Sequence, residues 1–121
     1  MDLADFNARW LKAWSDKDVE HLLTFYAEDC RYTDQQTPHG IVGHDALRAY
    51  LTGLFAATPP MRYDPEEIWI TPTGFCGRWY CVMGADPKAA PALRGFDLVV
   101  MAGEVIALNE VYVHTLPAQA A

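Results

Sequence analysis

Two stretches of the N-terminal half decide the fold: Tyr26-Ala27-Glu28-Asp29-Cys30-Arg31-Tyr32-Thr33-Asp34 and Gly43-His44-Asp45-Ala46-Leu47. In the first stretch, Cys30, Tyr32 and Asp34 recur with a period of two. This period predicts a short strand over residues 30–34 with those three side chains on one side. The second stretch opens a helix after a polar loop at 35–43. The predicted strand is therefore followed by a loop and then by a helix.

Apolar residues at helical spacing occur on both sides of this strand. Residues 3–15 predict an amphipathic helix, and the acidic segment 15–18 ends it and supplies caps for a second helix. A third helix is expected from about His44, and Thr58-Pro59-Pro60 ends it. The apolar stripe of the second helix is formed by Val19, Leu22, Leu23 and Tyr26.

From Arg62 onward the apolar period changes to two, which is typical of strands. Short connections between the strands indicate an antiparallel meander. Helices first and strands last predict one α+β domain over residues 1–121, with the helices covering one face of a curved sheet and a pocket between the layers. The expected strands are 62–71, 75–84, 93–102 and 104–114.

Composition excludes several classes of function. The chain has 121 residues, of which 51% are hydrophobic and 12% aromatic, and its formal net charge of −7 argues against a nucleic acid or an anionic membrane as partner. No apolar run is long enough to span a membrane, and the acidic N-terminus does not resemble a signal peptide, so we expect a cytoplasmic protein. The scattered cysteines Cys30, Cys76 and Cys81 fit reduced thiols.

Asp97 and Asp34 are the candidate chemical groups. Asp97 lies in a segment that otherwise predicts a strand buried on both faces, where a carboxylate has to be paired or protonated. A structural ion pair with Arg94 or Arg78 is the alternative. Asp34 ends a strand, which is also where a turn-forming aspartate is found. Two carboxylates in unlike environments can divide the roles of base and acid.

The two opening stretches, together with the order of helices and strands, resemble the nuclear transport factor 2-like superfamily, which includes ketosteroid isomerases and SnoaL-like polyketide cyclases. The resemblance rests on the tyrosine-alanine-acid-acid start of the first strand, the aspartate at its end, and the glycine that opens the third helix. It implies a cone-shaped α+β barrel, in which three helices are wrapped by a bent sheet around one apolar pocket.

The resemblance also implies roles for individual residues. Asp34 matches the aspartate that shuttles the proton in ketosteroid isomerases, and Asp97 matches their protonated oxyanion-binding aspartic acid. The oxyanion tyrosine has no counterpart, because Trp10 stands in its place. Tyr26 matches one supporting tyrosine and Leu51 replaces the other.

A pocket for a small apolar ligand would be lined by aromatic and strand residues. Asn109, Val111 and Val113 are expected to face this pocket, whereas Glu110, Tyr112 and His114 face outward, on a surface that superfamily members use to form homodimers. The residues predicted to contact substrate are Trp10, Trp14, Tyr26, Phe55, Asn109 and Val111.

Two functional hypotheses of different classes follow. The first is a cofactor-independent isomerase or cyclase acting by aspartate-mediated proton transfer on an apolar carbonyl substrate. The second is a non-catalytic domain that binds a hydrophobic ligand or mediates dimeric interaction. An epoxide hydrolase of the limonene type would need Arg78 to point inward between Asp34 and Asp97. The four histidines lack metal-ligand spacing, and no cofactor or metal is expected.

Overall fold

Three helices precede most of the sheet in the computed structural model, which describes residues 1–117. The last four residues of the predicted 1–121 domain lie outside this range. The helices are α1 (Leu3–Asp16), α2 (Val19–Leu23) and α3 (His44–Ala57), and Asp2 and Asp18 cap the first two through their side chains. The strands are β1 (Tyr26–Thr33), β2 (Ile41–Val42), β3 (Met61–Thr71), β4 (Gly74–Met83), β5 (Leu93–Ala102) and β6 (Val105–Thr115).

The six strands form one sheet in the order β2-β1-β6-β5-β4-β3. Strand β1 runs parallel to β6, and every other neighbouring pair is antiparallel. The α+β prediction and the C-terminal meander are confirmed. The register places Asp97 of β5 opposite Gly77 of β4 and Val111 of β6, so these three positions share one face of the sheet.

The prediction from residue spacing was wrong around the first strand, whereas the strand start at Tyr26 that the family resemblance implies is confirmed. Tyr26 was placed on the stripe of the second helix, but α2 ends at Leu23 and Tyr26 begins β1, four residues before the expected strand. The physical reason is tertiary: Tyr26 pairs with Ile106 of β6, whose backbone N–H donates to the carbonyl of Phe25 at 2.8 Å. Pairing with a distant strand outweighs the local helical spacing. The polar loop also contains the short strand β2.

The apolar stripe of α1 packs onto the inner face of the sheet. Phe6, Trp10 and Leu11 are each at most 2% exposed, and Phe75 of β4 is fully buried beneath them. The Trp10 and Phe75 rings meet edge to face, with centroids 6.4 Å apart. This contact fixes α1 above the strands whose side chains form the site.

Lys17 joins α1 to the end of α3. It has a left-handed backbone (φ 54°) at the C-cap of α1, and its Nζ donates to the carbonyls of Phe55, Thr58 and Pro59 and to the Thr58 hydroxyl at 2.8–3.1 Å. Carbonyls at the end of a helix lack intrahelical partners, and a cation satisfies them. Lys17 therefore holds the two helices at a fixed separation.

The outer face of the sheet carries exposed aromatic side chains. Asp97 was expected in a strand buried on both faces, but burial in β5 alternates, and the neighbouring Phe96 is 41% exposed on the outer face. Trp69 lies beside Phe96, with ring centroids 5.9 Å apart. The helices found among residues 1–117 are all too short or too polar to cross a membrane.

Candidate functional site

A cavity of about 200 Å³ lies between α1, α3 and the inner face of the sheet. Asp34 and Asp97 both line it. Asp34 is half-buried at the rim, beside the exposed Gln35 and Gln36, whereas Asp97 is only 3% exposed at the floor. The walls between them are apolar and include Leu11, Trp14, Leu54, Met61, Val111 and Val113. Such a cavity suits an apolar molecule with polar groups at its ends.

The carboxylate of Asp34 accepts five hydrogen bonds. Oδ1 accepts from the backbone N–H groups of Gln36 and Thr37 at 2.8 and 3.0 Å and from the Thr37 hydroxyl at 3.2 Å. Oδ2 accepts from the Tyr32 hydroxyl at 2.9 Å and the Tyr50 hydroxyl at 2.5 Å. A carboxylate has about four lone-pair positions, so Asp34 is saturated with donors. It is both the turn-forming aspartate and a site residue.

Tyr32 and Tyr50 line the cavity and donate to Asp34, but the sequence analysis did not select them as site residues. Burial raises the pKa of both phenols, and their interactions with Asp34 raise it further, so they remain protonated donors. Tyr32 shares the strand face of Asp34, and this period-two signal pointed to it. Tyr50 comes from α3, and only the packing of that helix against the loop brings it to Asp34.

Asp97 is buried, and it forms no salt bridge with any of residues 1–117. Burial raises the pKa of its carboxyl from 3.8 to about 7. Polar contacts with the side chains of Trp79 and Asn109 oppose this rise of the pKa, although no residue of 1–117 makes a hydrogen bond of ordinary geometry with Asp97 Oδ1. Neither proposed ion pair forms, because Arg94 contacts His114 and Arg78 pairs with Glu66. Asp97 is therefore a carboxyl group able to carry a proton near neutral pH.

Trp10 lies behind the cavity instead of lining it. Its indole Nε1 donates to the Tyr26 hydroxyl at 3.3 Å, and that hydroxyl donates to Asn109 Oδ1 at 3.0 Å. All three residues are at most 2% exposed, and this chain of hydrogen bonds runs beneath the floor toward Asp97. The indole N–H of Trp10 is thus already used within the protein.

The predicted substrate-contacting residues fall into two layers. Trp14 and Val111 line the cavity. Phe55 packs edge to face on Trp14 with centroids 5.6 Å apart, and belongs with Trp10, Tyr26 and Asn109 to the layer that supports the lining. Val113 lines the cavity as expected, and Tyr112 is 62% exposed on the outer face.

Arg78 points away from the cavity. Its Nη2 lies 2.7 Å from Glu66 Oε1, and its guanidinium lies 5.3 Å from the centre of the Trp69 ring on the outer face. The Asp–Arg–Asp arrangement of an epoxide hydrolase is therefore not formed. Within residues 1–117, no three metal-ligating side chains lie together.

Comparison with known proteins agrees with this architecture. The family model for a SnoaL-like domain matches residues 7–109. No functionally curated protein matches the sequence.

Three solved structures show the same fold at low identity. A SnoaL-like protein of unknown function from Burkholderia thailandensis superposes with a TM-score of 0.78 at 11% identity, covering 93% of this chain and 94% of that one. An isomerase candidate of the SnoaL-like family from Agrobacterium tumefaciens gives 0.77 at 19% identity, covering 93% and 97%. A protein with a ketosteroid isomerase-like fold from Catenulispora acidiphila, in complex with trimethylamine, gives 0.73 at 18% identity, covering 88% and 82%.

The family match spans α1 to the middle of β6 and contains both aspartates of the cavity, and the solved structures have the same fold over most of the chain. The chain therefore belongs to the SnoaL-like domain family and has the nuclear transport factor 2-like fold.

Proposed function

We propose that this domain is a cofactor-independent isomerase or cyclase that moves a proton on an apolar carbonyl substrate. One observation carries the proposal: Asp34 and Asp97 line the same apolar cavity, one saturated with donors at the rim and the other buried with a raised pKa at the floor. Carboxyl groups in such unlike environments are suited to different steps of one proton transfer.

In the proposed reaction, Asp34 takes a proton from the carbon next to the substrate carbonyl. The C–H electron pair moves to form a carbon–carbon double bond, and the carbonyl oxygen becomes an enolate stabilised by the Asp97 carboxylic acid. Returning the proton to another carbon gives an isomer. Attack of the enolate carbon on a second carbonyl of the same molecule closes a ring instead, and that oxygen then takes the proton from Asp34.

The donors on Asp34 set a condition on this role. Since Oδ2 accepts from both Tyr32 and Tyr50, the incoming proton must replace one of these two hydrogen bonds. The three donors on Oδ1 keep the carboxylate in place while this happens. Positioned proton transfer of this kind contributes about 10²- to 10⁴-fold in rate.

Exchange of the α-protons of 2-tetralone in deuterated buffer, followed by NMR, tests the proton transfer directly. The native protein should accelerate exchange, and Asp34→Asn should reduce the protein-dependent rate about 100-fold or more. Glu104→Gln, in the exposed turn between β5 and β6, serves as the acidic control and should exchange at the native rate. Equal rates for the native protein and D34N would exclude Asp34 as the base.

A non-catalytic ligand-binding domain is the second candidate, and the saturation of Asp34 favours it. A carboxylate that already accepts five hydrogen bonds is an effective anchor for a loop and for α3. In that case 2-tetralone would bind, as detected by ligand-observed NMR, but its α-protons would exchange no faster than in buffer.

We also propose that two copies associate through the outer face of the sheet. Trp69, Phe96 and Tyr112 are 40%, 41% and 62% exposed there, and large apolar side chains grouped on one face are typical of interfaces. Sedimentation velocity should give a dimer for the native protein and a monomer for Phe96→Glu. A native monomer at all concentrations would refute the interface.

A further inference from the structure

Trp79 carries a polar group that the proposed reaction leaves unused. The residue lines the cavity from β4 and is 5% exposed. Its buried indole Nε1 lies beside the Asp97 carboxyl, yet it makes no hydrogen bond of ordinary geometry with any of residues 1–117. A buried N–H without a partner costs about 1–3 kcal/mol, so a ligand atom that accepts its hydrogen would recover that cost.

Gly95 leaves the space that this indole ring occupies. A Cβ at Gly95 would lie 2.0 Å from Cζ2 and 2.2 Å from Cε2 of Trp79, so a glycine at this position allows the ring to lie flat on β5. The Tyr63 ring contacts it edge to face, with centroids 5.0 Å apart. Gly95 is two residues from Asp97 on the same face, and the indole is therefore held beside the Asp97 carboxyl.

The hydrogen-bond chain behind the floor fixes the orientation of the Asn109 amide, which lies next to Asp97. An indole N–H can only donate, so Trp10 donates to the Tyr26 oxygen, and the Tyr26 hydroxyl must donate onward to Asn109 Oδ1. Because the Asn109 oxygen faces Tyr26, the amide nitrogen Nδ2 points away from it. Nδ2 is buried close to Asp97, and within residues 1–117 it makes no hydrogen bond of ordinary geometry. Trp10 thus acts as a positioning residue for Asn109.

We propose that Trp79 Nε1 and the Asp97 carboxyl form an oxygen-binding subsite at the floor of the cavity, which holds the carbonyl or phenol oxygen of a planar aromatic ligand. The Asp97 carboxyl and Trp79 Nε1 lie side by side on two neighbouring strands, and within residues 1–117 neither Oδ1 nor Nε1 makes a hydrogen bond of ordinary geometry, so one ligand oxygen can meet both. The indole N–H is then the second donor, in place of the tyrosine that this sequence lacks. The subsite rests on the proposed function in one respect: the ligand must be apolar and carry an oxygen atom. It does not require that the protein turns this ligand over.

Binding of 2-naphthol tests the subsite, and 2-methylnaphthalene is its matched control because a methyl group replaces the hydroxyl. In protein with ¹⁵N-labelled tryptophan, saturating 2-naphthol should shift the Trp79 indole N–H resonance downfield, whereas 2-methylnaphthalene should not. Trp79→Phe identifies the resonance and keeps an aromatic ring in place. It should weaken 2-naphthol about tenfold and change the affinity of 2-methylnaphthalene less than twofold. Trp69→Phe, on the outer face, should bind both molecules as the native protein does.

Two results would overturn the subsite and leave the proposed proton transfer standing. One is an equal loss of affinity for both molecules in W79F, which would make Trp79 a packing residue. The other is the same indole shift with both molecules. If neither molecule binds the native protein, the apolar ligand cavity itself is refuted, and the subsite with it. Exchange of 2-tetralone protons is measured separately, so failure of the subsite and failure of the catalytic proposal are distinguishable.

Discussion

Replacement of Asp97 by asparagine isolates the free energy of burying its carboxyl group. The carboxyl pKa is 3.8 when exposed and about 7 in the folded protein. Because the folded state binds the proton more tightly, the native protein loses stability as the pH rises from about 4 to 7, and the loss is complete above that range. One pKa unit corresponds to about 1.4 kcal/mol, so the full cost approaches roughly 4 kcal/mol.

Asp97→Asn carries no charge and escapes this cost. It should match the native stability near pH 4 and exceed it progressively up to pH 8, where a gain of about 2–4 kcal/mol corresponds to a urea midpoint higher by about 1–2 M. The measurement is urea unfolding of both proteins at pH 4, 5, 6, 7 and 8. Other titrating groups are common to both proteins and cancel in the difference.

Glu104→Gln is the control for this series. Glu104 is exposed outside the cavity, so its replacement removes a carboxyl group without relieving a buried one, and E104Q should not show the gain of D97N at pH 8. If the difference between the native protein and D97N does not change from pH 4 to 8, or if D97N is the less stable protein at pH 8, then Asp97 does not have a raised pKa and cannot serve as the acid.

Three further substitutions test the supports of the site. Lys17→Met removes an ammonium that donates to three carbonyls and a hydroxyl, and should lower the free energy of unfolding by about 1–3 kcal/mol in urea titrations. Gly95→Ala forces the Trp79 ring to move, and should cost about 1–3 kcal/mol and remove the downfield shift of the Trp79 indole with 2-naphthol. Tyr26→Phe interrupts the chain between Trp10 and Asn109, and should destabilise the protein by about 1–3 kcal/mol in the same titrations. An unchanged urea midpoint in any of these variants would contradict the contact it removes.

Much of the architecture could be predicted because it depends on periodicity along the chain. The four strands from β3 to β6 begin and end within one residue of the predicted bounds, since alternating apolar residues and the turns between them are local features. Tyr26 shows the limit of such reasoning. Its spacing fits the helix before it, but it pairs with β6, some 80 residues later, and local spacing contains no information about that partner.

The site divides in the same way. That Asp34 ends a strand and Asp97 lies within one follows from local pattern, and the family resemblance selected both. Other features of the site depend on contacts between distant elements. The two aspartates share a cavity, and Tyr50 from α3 and Tyr32 from β1 both donate to Asp34. Gly95 leaves room for the Trp79 indole. The sequence by itself determined the elements and the chemically capable side chains, because periodicity and residue type are local. Only the tertiary structure decided which polar atoms have partners, because burial and hydrogen bonding arise when the helices close over the sheet.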